Sequence, residues 1–200
     1  YWLHNGFITV NEEKMSKSLG NFFMVIDILE HYEPETLRFF ILSTHYRSPL
    51  DFSDERLAEA QRSLSRLKTA QENLQALMAL MNAGPTEESL KLRRKVLELR
   101  NEFMEAMRDD FNTALAISHM FALAKEINIY HQSIVSVGSK PDGKLVSILQ
   151  SVFSEMCSII GVLESTQGAV EAESCGLEEP LMEMLIAMRQ EARSNKDYAQ

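Results

Sequence analysis

Apolar positions along this 200-residue chain change rhythm near residue 23, and the change separates two kinds of structure. Residues 1–10, YWLHNGFITV, are aromatic and β-branched around Asn5-Gly6, which predicts a strand, a tight turn and a second strand. Residues 11–22 hold neither period and end in Gly20-Asn21, so they read as an exposed loop. From Phe23 onward, Ile26, Leu29 and Tyr32 fall at helical spacing, and Pro34 suits the first turn of another helix carrying Leu37, Phe40 and Ile41. Ser53 is placed to cap a long helix with Asp54 and Glu55 in its first turn. Leu57, Ala60, Leu64, Leu67, Leu74, Leu77 and Met81 give that helix one packed face. Thr86 caps a second helix running to about Met107. Asp109-Asp110-Phe111-Asn112 then marks a turn, with Asp110 read as the cap and Asn112 serving the same end, into a third helix carrying Leu115, Phe121, Leu123 and Ile127. After a loop over residues 138–143, a fourth stripe runs through Leu145, Ile148, Leu149, Val152, Met156, Ile159, Ile160 and Leu163. Residues 164–178 read as a Ser, Gly and Glu-rich linker, and residues 180–195 as a final helix.

Four long amphipathic helices joined by short loops predict an antiparallel bundle, with a different kind of structure in front of it. The 45% of apolar residues suffices for a core. Twenty Lys plus Arg against twenty-nine Asp plus Glu leave a net charge of −9, so any grip on nucleic acid has to be local. Cys157 and Cys175 form no disulfide framework and no zinc spacing, and His4, His31, His45, His119 and His131 show no ligand spacing, so no metal site is expected. Cysteine usage fits a reducing, cytoplasmic setting. No apolar run approaches the roughly 20 residues of a membrane helix, and no membrane partner is expected.

Lys14-Met15-Ser16-Lys17-Ser18-Leu19-Gly20-Asn21 is the stretch that carries chemistry. Two ammonium groups three residues apart, separated by small residues and followed by glycine, make a cationic loop able to close over a polyphosphate. As charge moves onto a departing pyrophosphate, such lysines stabilise the transition state more than the ground state. Two lysines taken alone more often mark a solvated surface loop.

The full string is more specific. KMSKS followed by LGN resembles the signature loop of class I aminoacyl-tRNA synthetases. YWLHNGFI before it, LRFFILSTHYRSPLDFS after it, DDFNTALA in mid-bundle and RQEARSNKDYA at the end narrow the resemblance to the cysteinyl-tRNA synthetase family, over nearly the whole chain. The resemblance implies a mainly α chain. Residues 1–50 would be the end of a class I Rossmann-type catalytic domain, with short strands, the KMSKS loop and connecting helices. Residues 51–165 would be an antiparallel bundle of the tRNA-binding type, and residues 166–200 a linker and final helix leading to a small C-terminal domain. The implied activity is that of an ATP-dependent cysteine–tRNA ligase, which activates L-cysteine with ATP and Mg2+ and transfers it to tRNA(Cys), as a cytoplasmic monomer. By motif position, Lys17 binds ATP and steadies its phosphates, with Lys14 as helper. Ser16 and Ser18 lend hydroxyls and small size to the closing loop, and Trp2 and His4 fall on a strand beside the nucleotide site.

Departures from the family pattern accompany the match. Met24 and Ile26 stand where the family usually has Thr and Arg, which removes a cap worth ~1 kcal/mol. The histidine motif and the zinc ligands, which the family carries upstream, have no counterpart here, and Cys157 and Cys175 do not stand in for them. A chain opening at Tyr1 inside a strand is therefore expected to be part of a longer enzyme and inactive alone.

Basic charge concentrates in the first two bundle helices, since residues 51–110 carry ten basic and twelve acidic side chains and residues 111–200 carry six and eleven. Arg62 and Arg66 share a helix face, and Lys91, Arg93, Arg94 and Lys95 form a dense run. Arg62, Arg66, Arg94 and, in the HYRSP turn, Arg47 are the candidate tRNA contacts, with Arg47 equally a candidate for a domain-joining contact. The alternatives are a solvated face with partners one turn away, such as Glu59 for Arg62, and an Arg47–Asp51 ion pair. Two other functions remain open: a cysteine ligase of the same fold acting on a small amine, and a stand-alone helical module binding tRNA or protein.

Overall fold

The computed structural model describes residues 2–10, 13–16, 24–80 and 83–163, all within the unit Tyr1–Glu164. Ahead of the bundle lies a small sheet of β1 (Ile8–Val10), β2 (Glu13–Lys14) and β3 (Leu50–Phe52), ordered β2-β1-β3. β1 pairs antiparallel with β2, Thr9 opposite Lys14, and parallel with β3, Ile8 opposite Leu50.

This corrects the expected hairpin about Asn5-Gly6. The described residues before Ile8 form no strand, the pairing partner lies within the predicted loop, and a third strand comes from the LDF of the HYRSPLDF segment. Gly6 serves close approach instead of a turn. Its N–H donates to the Tyr46 carbonyl at 2.8 Å, and a Cβ on it would sit 2.3 Å from the Ser48 carbonyl oxygen.

α1 (Val25–Leu29) and α2 (Pro34–Leu42) follow the loop. Met24 gives α1 no side-chain cap, and the Asp27 carboxylate accepts the Met24 N–H at 3.2 Å in its place. α2 begins with Pro34 at its first turn and buries Thr36, Phe39 and Phe40, leaving Ile41 exposed.

The bundle consists of α3 (Asp54–Ala79), α4 (Glu87–Arg108), α5 (Thr113–Val137) and α6 (Gly143–Ile160). Ser53 Oγ accepts from Arg56 N and Thr86 Oγ1 from Ser89 N, as the sequence predicts. At the next junction Asn112 alone caps α5, accepting from Leu115 N at 3.1 Å, while Asp110 turns elsewhere. Leu57, Leu64, Leu67, Leu74 and Leu77 of α3 are buried, and so are Leu145, Leu149, Val152 and Met156 of α6. Leu115 and Ile159, expected inside, are exposed at the margins of their stripes. Among the described residues one helix, α6, is long and apolar enough to cross a membrane, against the expectation that none would be. Its apolar stripe is a core stripe, packed on α3, α4 and α5.

Both α3 and α4 pack on α5 and α6, whereas α3 and α4 are not a packed pair and so lie across the bundle from each other. The α3–α4 and α5–α6 connections meet at one end, where Ala83 bridges Asp142. Met81, Cys175, the predicted linker and the final helix lie outside the described residues.

Candidate functional site

Lys14 lies in β2, paired through its backbone with Thr9, so the KMSKS string leaves the outer strand of the sheet. Met15 packs against the hydrophobic core and Ser16 is half-buried, which anchors the start of the string. Lys17 and Ser18 lie outside the described residues. His4 is exposed on the segment leading to β1, and Trp2 is 90% exposed, so neither sits on a strand as the resemblance implied.

Behind the sheet, the 45–48 turn joins it to the bundle. Asp110 collects three side chains from that turn. Tyr46 Oη donates to Asp110 Oδ1 at 2.7 Å, Arg47 Nε lies 3.0 Å from Oδ2 and its Nη2 donates to Oδ1 at 3.2 Å, and His45 Nε2 lies 3.9 Å from Oδ2. Arg47 also donates through Nε to Tyr46 Oη at 2.9 Å, while the His45 and Tyr46 rings stack with centroids 4.9 Å apart. The Tyr46 hydroxyl first, and the Asp110 charge second, hold the Arg47 guanidinium above its ordinary range. Arg47 therefore joins the sheet to the bundle. The Asp51 alternative is not what forms, because Asp51 accepts from Thr9 at 2.8 Å and pairs with Arg56 at 3.4 Å.

The basic residues of the bundle divide by helix. Arg62 and Arg66 face outward on α3, and the Arg66 guanidinium lies 5.2 Å from the Phe121 ring centre of α5. Arg66, Phe121, Lys125 and Asn128 line a groove of about 530 Å³ between α3 and α5, with no acid in its lining. The Asn73–Asn128 hydrogen bond at 2.9 Å ties the same two helices further along. Among the described residues the ion pairs of α3 run from Arg56 to Asp51 and from Lys68 to Glu33 and Glu35, and none joins Arg62 to Glu59, its alternative partner. On α4 three of the four cations in the dense run pair with carboxylates: Lys91 with Glu87 one turn away at 2.9 Å, Lys95 with Glu126 of α5 at 2.6 Å and Arg93 with buried Asp142 at 2.5 Å. Arg94 stays exposed, on a helix that lies across the bundle from Arg62 and Arg66.

No group of three or more His, Cys, Asp or Glu able to hold a metal occurs among the described residues, so they offer no zinc ligand set. Cys157 is buried on α6, and burial first, then the nearby Glu35 charge, pushes its thiol up to about 12. Tyr46, Asp110, Lys125 and Asn128 were not singled out as site residues by the sequence. Asp110 carried a signal that points to its role only in hindsight, the paired aspartates before Phe111; the other three lacked even that.

Two family models match the chain: "tRNA synthetases class I (C) catalytic domain" over residues 1–62 and "DALR domain" over residues 102–164. The Cysteine–tRNA ligase of Desulforamulus reducens is 44% identical over all of this chain and 43% of its own length, and that of Pelotomaculum thermopropionicum is 44% identical over all of the chain and 42% of its own. The chain thus spans less than half the length of the curated relatives it matches. A crystal structure of the LeuRS–tRNA–LeuAMS ternary complex from Agrobacterium radiobacter K84 shares the fold, with a TM-score of 0.58 over 80% of this chain and 22% of that one at 18% identity. The catalytic-domain match ends inside α3 and the DALR match spans the end of α4 through α6, with the Asp110 junction joining the two regions. The chain belongs to the cysteinyl-tRNA synthetase family of class I aminoacyl-tRNA synthetases.

Proposed function

We propose that this chain is the part of a cysteine–tRNA ligase that supplies the lysine loop of the adenylation site and the tRNA-facing bundle. The match to cysteine–tRNA ligases along the entire chain is the observation that carries this reading. In the reaction, the carboxylate oxygen of L-cysteine attacks the α-phosphorus of ATP, the bond to the bridging oxygen breaks, and pyrophosphate leaves with the electron pair. Lys17, helped by Lys14, meets the charge that grows on the leaving pyrophosphate, and Ser16 and Ser18 bond the same phosphates. Magnesium accompanies ATP as the counter-ion of its phosphates. The zinc of the family belongs to residues other than those described, and no step here runs through it. His4 is the weakest of the nucleotide contacts, given its exposure ahead of β1.

For tRNA, the α3/α5 groove supports the reading best. Arg62 and Arg66 lead along α3 from the sheet end, and Lys125 and Asn128 continue the row on α5, where cation and amide groups suit a phosphate backbone. Arg94 makes a separate contact on another face. Arg47 contributes as a joint more than as a ligand, because its guanidinium is engaged by Asp110. The reading carries with it a monomer acting in the cytoplasm.

Cysteine-dependent ATP–pyrophosphate exchange by the full-length protein, compared with its Lys17→Ala variant and with this chain alone, tests the reading. Exchange by the full-length protein is expected to fall by about 100-fold in Lys17→Ala, the scale of losing one charge-stabilising donor, and to be absent from this chain. Undiminished exchange in Lys17→Ala refutes the role of the loop. Transfer of cysteine to tRNA separates the reading from a ligase acting on a small amine.

A further inference from the structure

Asp110 and Phe111 both have positive φ, +54° and +53°, in the turn between α4 and α5. For a phenylalanine this is a costly conformation, and Phe111 does not recover the cost by burial, being 57% exposed. What the turn achieves is the delivery of the Asp110 carboxylate to Tyr46, Arg47 and His45, more than sixty residues earlier in the chain. That 45–48 turn is the backbone against which Gly6 lies, through the Gly6 N–H to Tyr46 carbonyl bond, and it leads directly into β3, the parallel partner of β1. β1 in turn holds β2, and β2 ends in Lys14.

We propose that Asp110 is a positioning residue: by gathering Tyr46, Arg47 and His45 it fixes the 45–48 turn, and through Gly6 and the sheet it sets where the lysine loop begins. The base of the bundle thereby governs the geometry with which the loop meets ATP. The inference rests on the reading that the loop handles the ATP phosphates.

The test uses the full-length protein with Asp110→Gly, Asp110→Asn and Tyr46→Phe. Glycine relieves the positive φ while removing the carboxylate, so its effect reports the lost contacts and not backbone strain. Asparagine tolerates the same φ and keeps an acceptor for Tyr46 Oη, without the charge. Asp110→Gly is expected to raise the KM for ATP roughly tenfold, with kcat and the KM for cysteine within about twofold, and to speed hydrogen exchange at the Gly6 and Leu50 amides. Asp110→Asn and Tyr46→Phe are expected to fall between it and the unaltered protein. An unchanged KM for ATP in Asp110→Gly overturns the proposal whatever happens at Gly6. So does a parallel fall in every kinetic parameter together with the unfolding midpoint, which marks a structural role alone. If the unaltered protein shows no cysteine-dependent exchange, it is the functional reading that has failed, and the positioning role is decided by the Gly6 and Leu50 amides, whose unchanged protection refutes it.

Discussion

At the end of the bundle remote from the sheet, Asp142 is 3% exposed and serves two helices at once. Its Oδ1 accepts from the amides of Lys144 at 3.0 Å and Leu145 at 3.4 Å, capping α6. Its Oδ2 accepts from Ser89 Oγ at 2.7 Å and Arg93 Nη2 at 2.5 Å, tying α6 to the first turns of α4. Asp142→Ala removes a cap worth about 1 kcal/mol and leaves the Arg93 charge, 17% exposed, without its partner, a loss that costs about 3–5 kcal/mol when such a pair is buried. Because the groups are in contact the two losses do not add, and the expected cost is about 4 kcal/mol. Asp142→Asn keeps the cap and an acceptor, so about 2 kcal/mol is expected. Burial by itself would raise the Asp142 carboxyl, but Ser89, Arg93 and the two amides outweigh it and hold the group below its ordinary 3.8. A lowered folded-state value means that the stabilisation is fully present above pH 3.8 and is lost as pH falls through the lower folded value. The gap between the unaltered protein and Asp142→Asn should therefore close in acid. Urea unfolding followed by far-ultraviolet circular dichroism measures both. A loss below about 1 kcal/mol in Asp142→Ala would refute the reasoning, since that is the scale of a solvated surface pair.

Two further outcomes follow from close packing. Gly6→Ala places a methyl 2.3 Å from the Ser48 carbonyl oxygen, a backbone atom with no rotamer to yield, and should cost about 2 kcal/mol with faster exchange at the Leu50 amide; unaltered exchange there would contradict the close approach. Cys157, with its thiol pushed up to about 12 from 9.0, should resist maleimide in the folded protein and react on unfolding. Since the folded protein holds that proton more tightly, stability is lost as pH rises from 9 towards 12, with an extra slope of at most about 1.4 kcal/mol per pH unit relative to Cys157→Ala; equal slopes would show that the thiol is solvated.

Helix positions and caps were legible because they depend on neighbours in sequence. Ser53 and Thr86 each bond an amide three residues on, and the leucines of α3 follow a period that any packed helix must obey. The sheet was not legible to the same degree. Asn5-Gly6 is a strong hairpin signal, yet the glycine is needed because the 45–48 backbone lies against it, a contact between residues some forty positions apart. β3 has three residues and carries no period long enough to detect. At the site, the KMSKS string was recognisable because it is contiguous, whereas Asp110 looked like a cap because the local rule for aspartate before a helix is a good one. Asn112 satisfied that rule instead and freed Asp110 for a distant partner.

The same distinction decides what the cations of the bundle can do. Read along the sequence, Lys91, Arg93, Arg94 and Lys95 form the densest positive run and the obvious place for a polyanion. Folding places three of the four next to carboxylates, two of which, Glu126 and Asp142, come from other segments, so that run is largely neutralised. Arg66 and Lys125 belong to no run, yet parallel packing of α3 on α5 brings them to one acid-free groove beside an aromatic ring. For a chain of net charge −9, the capacity to hold a phosphate backbone depends on where positive charge is left uncompensated after folding and not on where it is densest in sequence. In the proposed reading, the favoured contact for a nucleic acid is therefore the α3/α5 face, whose first helix follows directly on β3 of the sheet, and not the α4 run.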